Sequence, residues 1–187
     1  AIKNMVALKR GGFFPDSISL NPVLCRPTLW DMETYIAFVG KLGLDDIRFN
    51  YIWPHGEVRS DRSWIPSLRE AMPEIVRLML VNEKRLGKHL SFGGLPKCAL
   101  LLAGLSGRLM DYLAAKYLDE AGFDPANDVS MATKRGPMEE RFVWQQVKRD
   151  VLKTKPTACA ACAEQARCEG IWGSYAELYG FEELRPL

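Results

Sequence analysis

Five cysteines offer the clearest chemistry in this 187-residue sequence. Three of them fall in Cys159-Ala160-Ala161-Cys162-Ala163-Glu164-Gln165-Ala166-Arg167-Cys168-Glu169-Gly170, a C-x2-C-x5-C spacing. The close pair Cys159 and Cys162 can turn toward one metal or one cluster, and Cys168 can close around it. Tetrahedral sulfur sites take four ligands, so the fourth must come from elsewhere. Cys98, in Leu95-Pro96-Lys97-Cys98, is the leading candidate because it also stands on a turn beside Pro and Gly. Cys25 lies on a predicted strand and reads more simply as a small buried apolar residue. Spacing alone leaves zinc and an iron–sulfur cluster open, since both accept four thiolates. Disulfides are disfavoured by the odd cysteine count and by an opening segment without the features of a secretory signal. Reduced thiols then point to the cytoplasm.

Other reactive residue types are weaker. His55 follows Pro54 at a predicted strand end, where a proton-transfer role is conceivable but a solvated loop position is simpler. His89 has no partner motif. Trp53 is the aromatic residue whose place at that same strand end sets it apart from ordinary core tryptophans. A balance of 25 Lys and Arg against 23 Asp and Glu gives a net charge of +2, which makes no electrostatic case for nucleic acid or an anionic membrane. No apolar run reaches the roughly 18–20 residues of a membrane span.

The elements that must position the cysteines alternate through the first half. Ile2, Met5, Val6 and Leu8 mark a helix stopped at Gly11-Gly12. Ser17 to Cys25 alternates as a strand, with Pro22 arguing against a central position. Leu29, Met32, Ile36, Val39 and Leu42 form a helical stripe behind a Thr28 cap. Asp46 to Trp53 reads as a strand, and Ser67 to Leu86 as a helix stopped by Gly87. Strands alternating with helices indicate βα units on a parallel sheet, and two strands are too few to stand alone, so more are expected upstream. Beyond residue 90, Phe92 to Cys98 reads as turn. Helices are predicted over Leu105 to Ala121 and Glu139 to Leu152, with a polar loop from Gly122 to Pro137 between them.

Taken together these segments resemble the C-terminal half of radical S-adenosylmethionine (SAM) enzymes that end in an auxiliary-cluster tail of the twitch or SPASM type. The resemblance is carried by the opening helix with Gly11-Gly12, by Ser19-Leu20-Asn21-Pro22-Val23-Leu24 as a fifth barrel strand, and by Leu42 to Gly56 as a sixth. Within the last, Ile52-x-Pro54 fits the family's hydrophobic-x-Pro motif. It is carried also by Cys159-x2-Cys162-x5-Cys168-x-Gly170 with Tyr175, Tyr179-Gly180 and Glu183 behind it.

The resemblance implies an α/β fold: the last two βα units of a partial (β/α)6 barrel over residues 1–92, then a helical, cysteine-rich extension over 93–187. It implies an auxiliary [4Fe–4S] cluster on Cys98, Cys159, Cys162 and Cys168, and a SAM pocket to which Asn21, Ile52 and Pro54 contribute. The implied activity is generation of a 5′-deoxyadenosyl radical that modifies a peptide or a small metabolite. The family's C-x3-C-x2-C loop and Gly-Gly-Glu-type segment are missing, so the chain by itself is expected to be inactive and to need an N-terminal half-barrel. The alternatives are a zinc-stabilised, non-catalytic binding module and a subunit that completes a partner's half-barrel.

Overall fold

A computed structural model describes residues 2–13, 18–118, 128–131 and 140–187. The architecture is mixed α/β with a small open sheet. Helix α1 (Ile2–Arg10) ends with Lys9 and Arg10 in its last turn, where cations suit the helix dipole. Strands β1 (Ser19–Leu20) and β2 (Val23–Leu24) follow, divided by Asn21 and Pro22. Both run parallel to β3 (Asp46–Tyr51), Ser19 opposite Asp46 and Val23 opposite Asn50. They form one edge line broken at Pro22, which lacks an N–H but still accepts from the Asn50 N–H at 3.0 Å.

The other side of β3 carries β4 (His89–Gly93), also parallel, over a five-residue register. This strand covers part of the stretch expected to be turn, and the division drawn between residues 92 and 93 passes through it. A parallel bridge from Phe92 to Leu118 extends pairing one step further.

Period-2 alternation in β3 separates two faces. Ile47, Phe49 and Tyr51 are buried, and the register sets Ile47 beside Leu90 and Phe49 beside Phe92, whose rings stack 5.5 Å apart. The expected stripe Met32, Ile36 and Val39 from α3 (Met32–Lys41) and Met72, Ile75 and Met79 from α4 (Leu68–Val81) join the same core. Each such side chain contributes about 1.5–3 kcal/mol by leaving water. The opposite face presents Arg48 and Asn50, beside Ser91 and Gly93.

Helix α4 starts where its capping box dictates: Ser67 Oγ accepts from the Glu70 N–H, and Glu70 accepts from the Ser67 N–H at 2.8 Å. A π-turn over Asn82–Leu86 continues it to Gly87, left-handed at φ 58°. The helix expected behind Thr28 divides. A short turn α2 (Arg26–Leu29) starts at Cys25, and Thr28 sits inside it, its Oγ1 accepting from the Cys25 N–H at 3.1 Å. Thr28 thus closes a capping box instead of standing at the cap.

Later elements depart further from expectation. Helix α5 is Gly107–Tyr117, inside the span anticipated. The expected helix from Glu139 is instead strand β6 (Glu140–Val143), antiparallel to β5 (Asp128–Met131), which lies within the anticipated loop. Only a short turn, α6 (Trp144–Val147), and a π-turn over Lys148–Leu152 remain helical there. Local helix propensity in this stretch yields to cross-strand pairing. Strands β7 (Lys153–Thr154) and β8 (Ile171–Trp172) then pair antiparallel, and α7 (Gly173–Tyr179) follows. Among the described residues no helix is long and apolar enough to cross a membrane.

Candidate cysteine-cluster site

The β7–β8 pair sets Lys153 opposite Trp172 and Thr154 opposite Ile171, closing the loop that carries Cys159, Cys162 and Cys168. Tight turns fold the loop inward. Cys159 N–H bonds to Pro156 O at 2.9 Å, Cys162 N–H to Cys159 O at 3.1 Å, and Cys168 N–H to Glu164 O at 2.8 Å. Gly170 follows with φ 86°, a left-handed conformation that suits glycine, and its N–H points at Cys168 Sγ from 3.2 Å.

Cys98 arrives from another part of the chain, on a 3-10 turn (Lys97–Ala103) anchored by buried Ala99 and Leu100. Lys97 ties this turn to the loop: its Nζ lies 2.7 Å from Glu164 and 3.0 Å from Asp111. The result brings the four thiols into one electrostatic neighbourhood. Burial pushes the Cys98 thiol up to about 12, with Cys168, Cys159 and Cys162 adding to the rise as nearby acids, against a backbone hydrogen bond from Arg185. Burial and the same neighbours raise Cys159. Cys25 takes no part: it is buried at the start of α2, its Sγ 3.4 Å from Thr28 Oγ1.

Four sulfurs share the neighbourhood, and backbone N–H groups reach Cys162 from Leu187 (3.4 Å) and Cys168 from Gly170 (3.2 Å). A single zinc ion with bonds of about 2.3 Å holds its sulfurs about 3.8 Å apart. Among the described residues no three His, Cys, Asp or Glu side chains group closely enough for one ion. In a cluster each thiolate binds a different iron, so its sulfurs stand further apart.

The tail docks on the α4 end of the sheet domain. Tyr175 is buried, its hydroxyl accepting from the Leu68 N–H at 2.7 Å and donating to Glu183. Glu183 also accepts from the Leu68 and Arg69 N–H groups at 3.2 and 3.0 Å, adding negative charge at the α4 N-terminus. Tyr179 donates to Ile65 O at 2.7 Å under the Arg62 guanidinium, and Arg59 pairs with Glu177 at 2.8 Å. Tyr175, Tyr179 and Glu183 therefore seat the tail.

A cavity of about 870 Å³ lies between the carboxyl ends of the parallel strands and the tail. Asn21, Asn50, Trp53 and Gly94 line it from the sheet, and Cys168, Lys153 and Trp172 from the tail. Open α/β sheets bind ligands at such strand ends. Of the three residues expected near SAM, Asn21 lines the cavity. Ile52 and Pro54 are buried and do not. Trp53 stacks between His55 (4.7 Å) and Trp172 (4.8 Å), joining strand end to tail. Burial lowers the Lys153 ammonium, against the pull of Glu169 3.0 Å away, which Lys148 also approaches at 3.2 Å. His89 is exposed at the start of β4.

Arg48, Asn50 and Lys153 escaped the sequence reading, while Trp172 reads there as an ordinary core tryptophan and is buried in the core as it also lines the cavity. The alternation of β3 could have found the first two, since Arg48 and Asn50 share a face. Nothing local marks Lys153. No protein-family model, curated protein or solved structure matches the chain.

Proposed function

We propose that the chain is the C-terminal portion of a radical SAM enzyme acting on a peptide or small metabolite, and that Cys98, Cys159, Cys162 and Cys168 hold an auxiliary [4Fe–4S] cluster. The observation that carries this reading is the Lys97–Glu164 ion pair at 2.7 Å, which ties the Cys98 turn to the cysteine loop, together with the backbone N–H groups directed at Cys162 and Cys168. N–H donors around cysteine sulfur are a feature of tuned iron–sulfur sites.

The parallel strands β1/β2, β3 and β4 would be the last three of the partial barrel, one more than the sequence suggested. Their helix-covered face and cavity face suit that role. Asn21 would meet SAM at the cavity wall, while Ile52 and Pro54 would hold the strand end from behind. When bound, the auxiliary cluster would supply electron transfer, and SAM cleavage to a 5′-deoxyadenosyl radical would depend on a C-x3-C-x2-C cluster that this sequence does not encode. The chain's own part is to cradle the clusters' neighbour cavity, exclude water from Cys98, and fix the tail through Tyr175 and Glu183. A missing N-terminal half-barrel is the implied partner, and the cytoplasm the implied compartment.

Anaerobic reconstitution with metal and sulfide counting tests the reading. About four iron and four sulfide per chain are expected for one [4Fe–4S] group. About one zinc without iron would replace the reading with a zinc-stabilised binding module.

A further inference from the structure

The cavity at the strand ends carries a charge that the seating of the tail does not call for. Among the described residues seven Lys and Arg side chains line it, against three carboxylates, Asp111, Glu164 and Glu169. The positive excess inside this one cavity therefore exceeds the +2 of the whole chain. Five of the seven cations stand on the tail wall, between residues 148 and 167. The carboxylates are not spread evenly among them. Asp111 and Glu164 both pair with Lys97, at 3.0 and 2.7 Å. Glu169 is shared, with Lys153 Nζ 3.0 Å away and Lys148 Nζ 3.2 Å away. That trio holds two positive charges and one negative, and only 5% of the Lys153 side chain and 12% of the other two are exposed. Lys155, on the same wall, donates to the Gln165 carbonyl at 2.7 Å, a neutral partner that leaves its charge unbalanced. Charge held out of water without an equal counter-charge is costly, and an entering anion relieves that cost.

A second observation points the same way. Trp172 is buried against the cavity, and its indole N–H has no hydrogen-bond partner among the described residues. The nitrogen lies beside Gly94, 3.7 Å from where a Cβ would stand, so this cavity-lining glycine keeps side-chain atoms away from the donor. A buried donor left unpaired is a cost that a ligand oxygen removes. The Lys153 ammonium lies 5.0 Å from the centre of the same indole ring, which sets a cation and a neutral donor side by side. We propose that this cavity binds a small molecule through an oxyanion, a phosphate or a carboxylate, held by Lys153, Lys155 and the Trp172 indole N–H. Its volume of about 870 Å³ is that of a small-molecule site. The binding step takes no metal, so the site stands apart from the cluster reading above. What it adds to that reading is the charge of the group by which a substrate is held.

The test is isothermal titration calorimetry of the chain with inorganic pyrophosphate and, separately, with glutarate. Binding of one molecule per chain is expected; tighter pyrophosphate assigns a phosphate to the site, and tighter glutarate a carboxylate. Lys155→Gln should weaken the tighter probe by about tenfold, the loss of one charge-assisted hydrogen bond. Lys155→Arg, which keeps the charge, should bind like the parent, as should Lys41→Gln, an exposed change outside the cavity. Glu169→Gln removes the anion that Lys148 and Lys153 share, so it should tighten binding by a similar factor. In the unaltered chain the Trp172 indole N–H resonance, assigned with Trp172→Phe, should move on saturation, a readout that does not depend on the folding of the charge variants. Failure of both probes to bind, affinity indifferent to Lys155→Gln, weaker binding to a folded Glu169→Gln chain, or an unmoved Trp172 resonance would overturn the proposal. Iron uptake enters none of these readouts, so failure of the cluster reading would be seen separately.

Discussion

Replacing Gly170 with alanine should damage the cysteine site out of proportion to the size of one methyl group. Gly170 has φ 86°, and a Cβ there would be driven into the Thr154 carbonyl oxygen, with Lys155 Cγ at 2.8 Å and the Thr154 carbonyl carbon at 2.9 Å. The obstacle is backbone, so no rotamer change relieves it. Thr154 belongs to β7, whose pairing with β8 closes the cysteine loop. The left-handed conformation costs an alanine about 1–2 kcal/mol. Displacing Thr154 forfeits about two ladder hydrogen bonds at about 1 kcal/mol each, so the whole loss is about 3–4 kcal/mol. Gly87→Ala is the matched control: φ is 58° but nothing lies within 4 Å of the added Cβ, so only the conformational cost of about 1–2 kcal/mol applies. Thermal unfolding of the two reconstituted variants should therefore differ by about 4–8 °C in Tm, given about 2–4 °C per kcal/mol at this chain length. Gly170→Ala should also reduce iron retention, because the N–H directed at Cys168 moves with the backbone. A Gly170→Ala chain that melts with Gly87→Ala and keeps its full iron would refute the argument.

Other perturbations follow from the same contacts. Tyr175→Phe keeps the buried ring but deletes the hydroxyl between Leu68 N–H and Glu183, so urea unfolding should show a loss of about 2 kcal/mol, and an unmoved midpoint would contradict the seating of the tail. Hydrogen bonds from Lys116, Tyr117 and Tyr112 hold the Glu83 carboxyl at about 2, below its ordinary 4.5. The stability this confers is present above the ordinary value and disappears as pH falls from about 5 toward 2. Glu83→Gln should therefore destabilise at pH 7 and cost progressively less in acid unfolding experiments. A penalty that grows with acidification would show the sign to be wrong.

How far these features could be read from residues depends on the range of the interactions behind them. The start of α4 at Ser67, the stripe of α3 and the Gly87 stop are local, and each appears where the sequence placed it. Strand β4 is different: Leu90 and Phe92 alternate with Ser91 and Gly93, but Gly93, Gly94 and Pro96 crowd so close behind that the turn signal dominates. What makes it a strand is five residues of pairing with β3. Glu140 to Val143 pairs across a hairpin for the same kind of non-local reason. The C-x2-C-x5-C spacing is a local feature, and Cys98 stands in a 3-10 turn over Lys97–Ala103, just after the turn-rich stretch that the sequence marks. The cavity wall was not. Whether Arg48 and Asn50 or Ile47 and Phe49 face the cavity depends on which side of the sheet α3 and α4 cover, and the alternation alone carries no sign for that.

The central claim is that Cys98, and not Cys25, completes the site with Cys159, Cys162 and Cys168. Cys98→Ala and Cys25→Ala chains, reconstituted side by side with iron and sulfide and examined after reduction by electron paramagnetic resonance, test it most directly. The account predicts about four iron per chain and the parent's spectrum for Cys25→Ala, with lowered iron and an altered spectrum for Cys98→Ala. Parent-like iron and spectrum in Cys98→Ala, or their loss in Cys25→Ala alone, would contradict it.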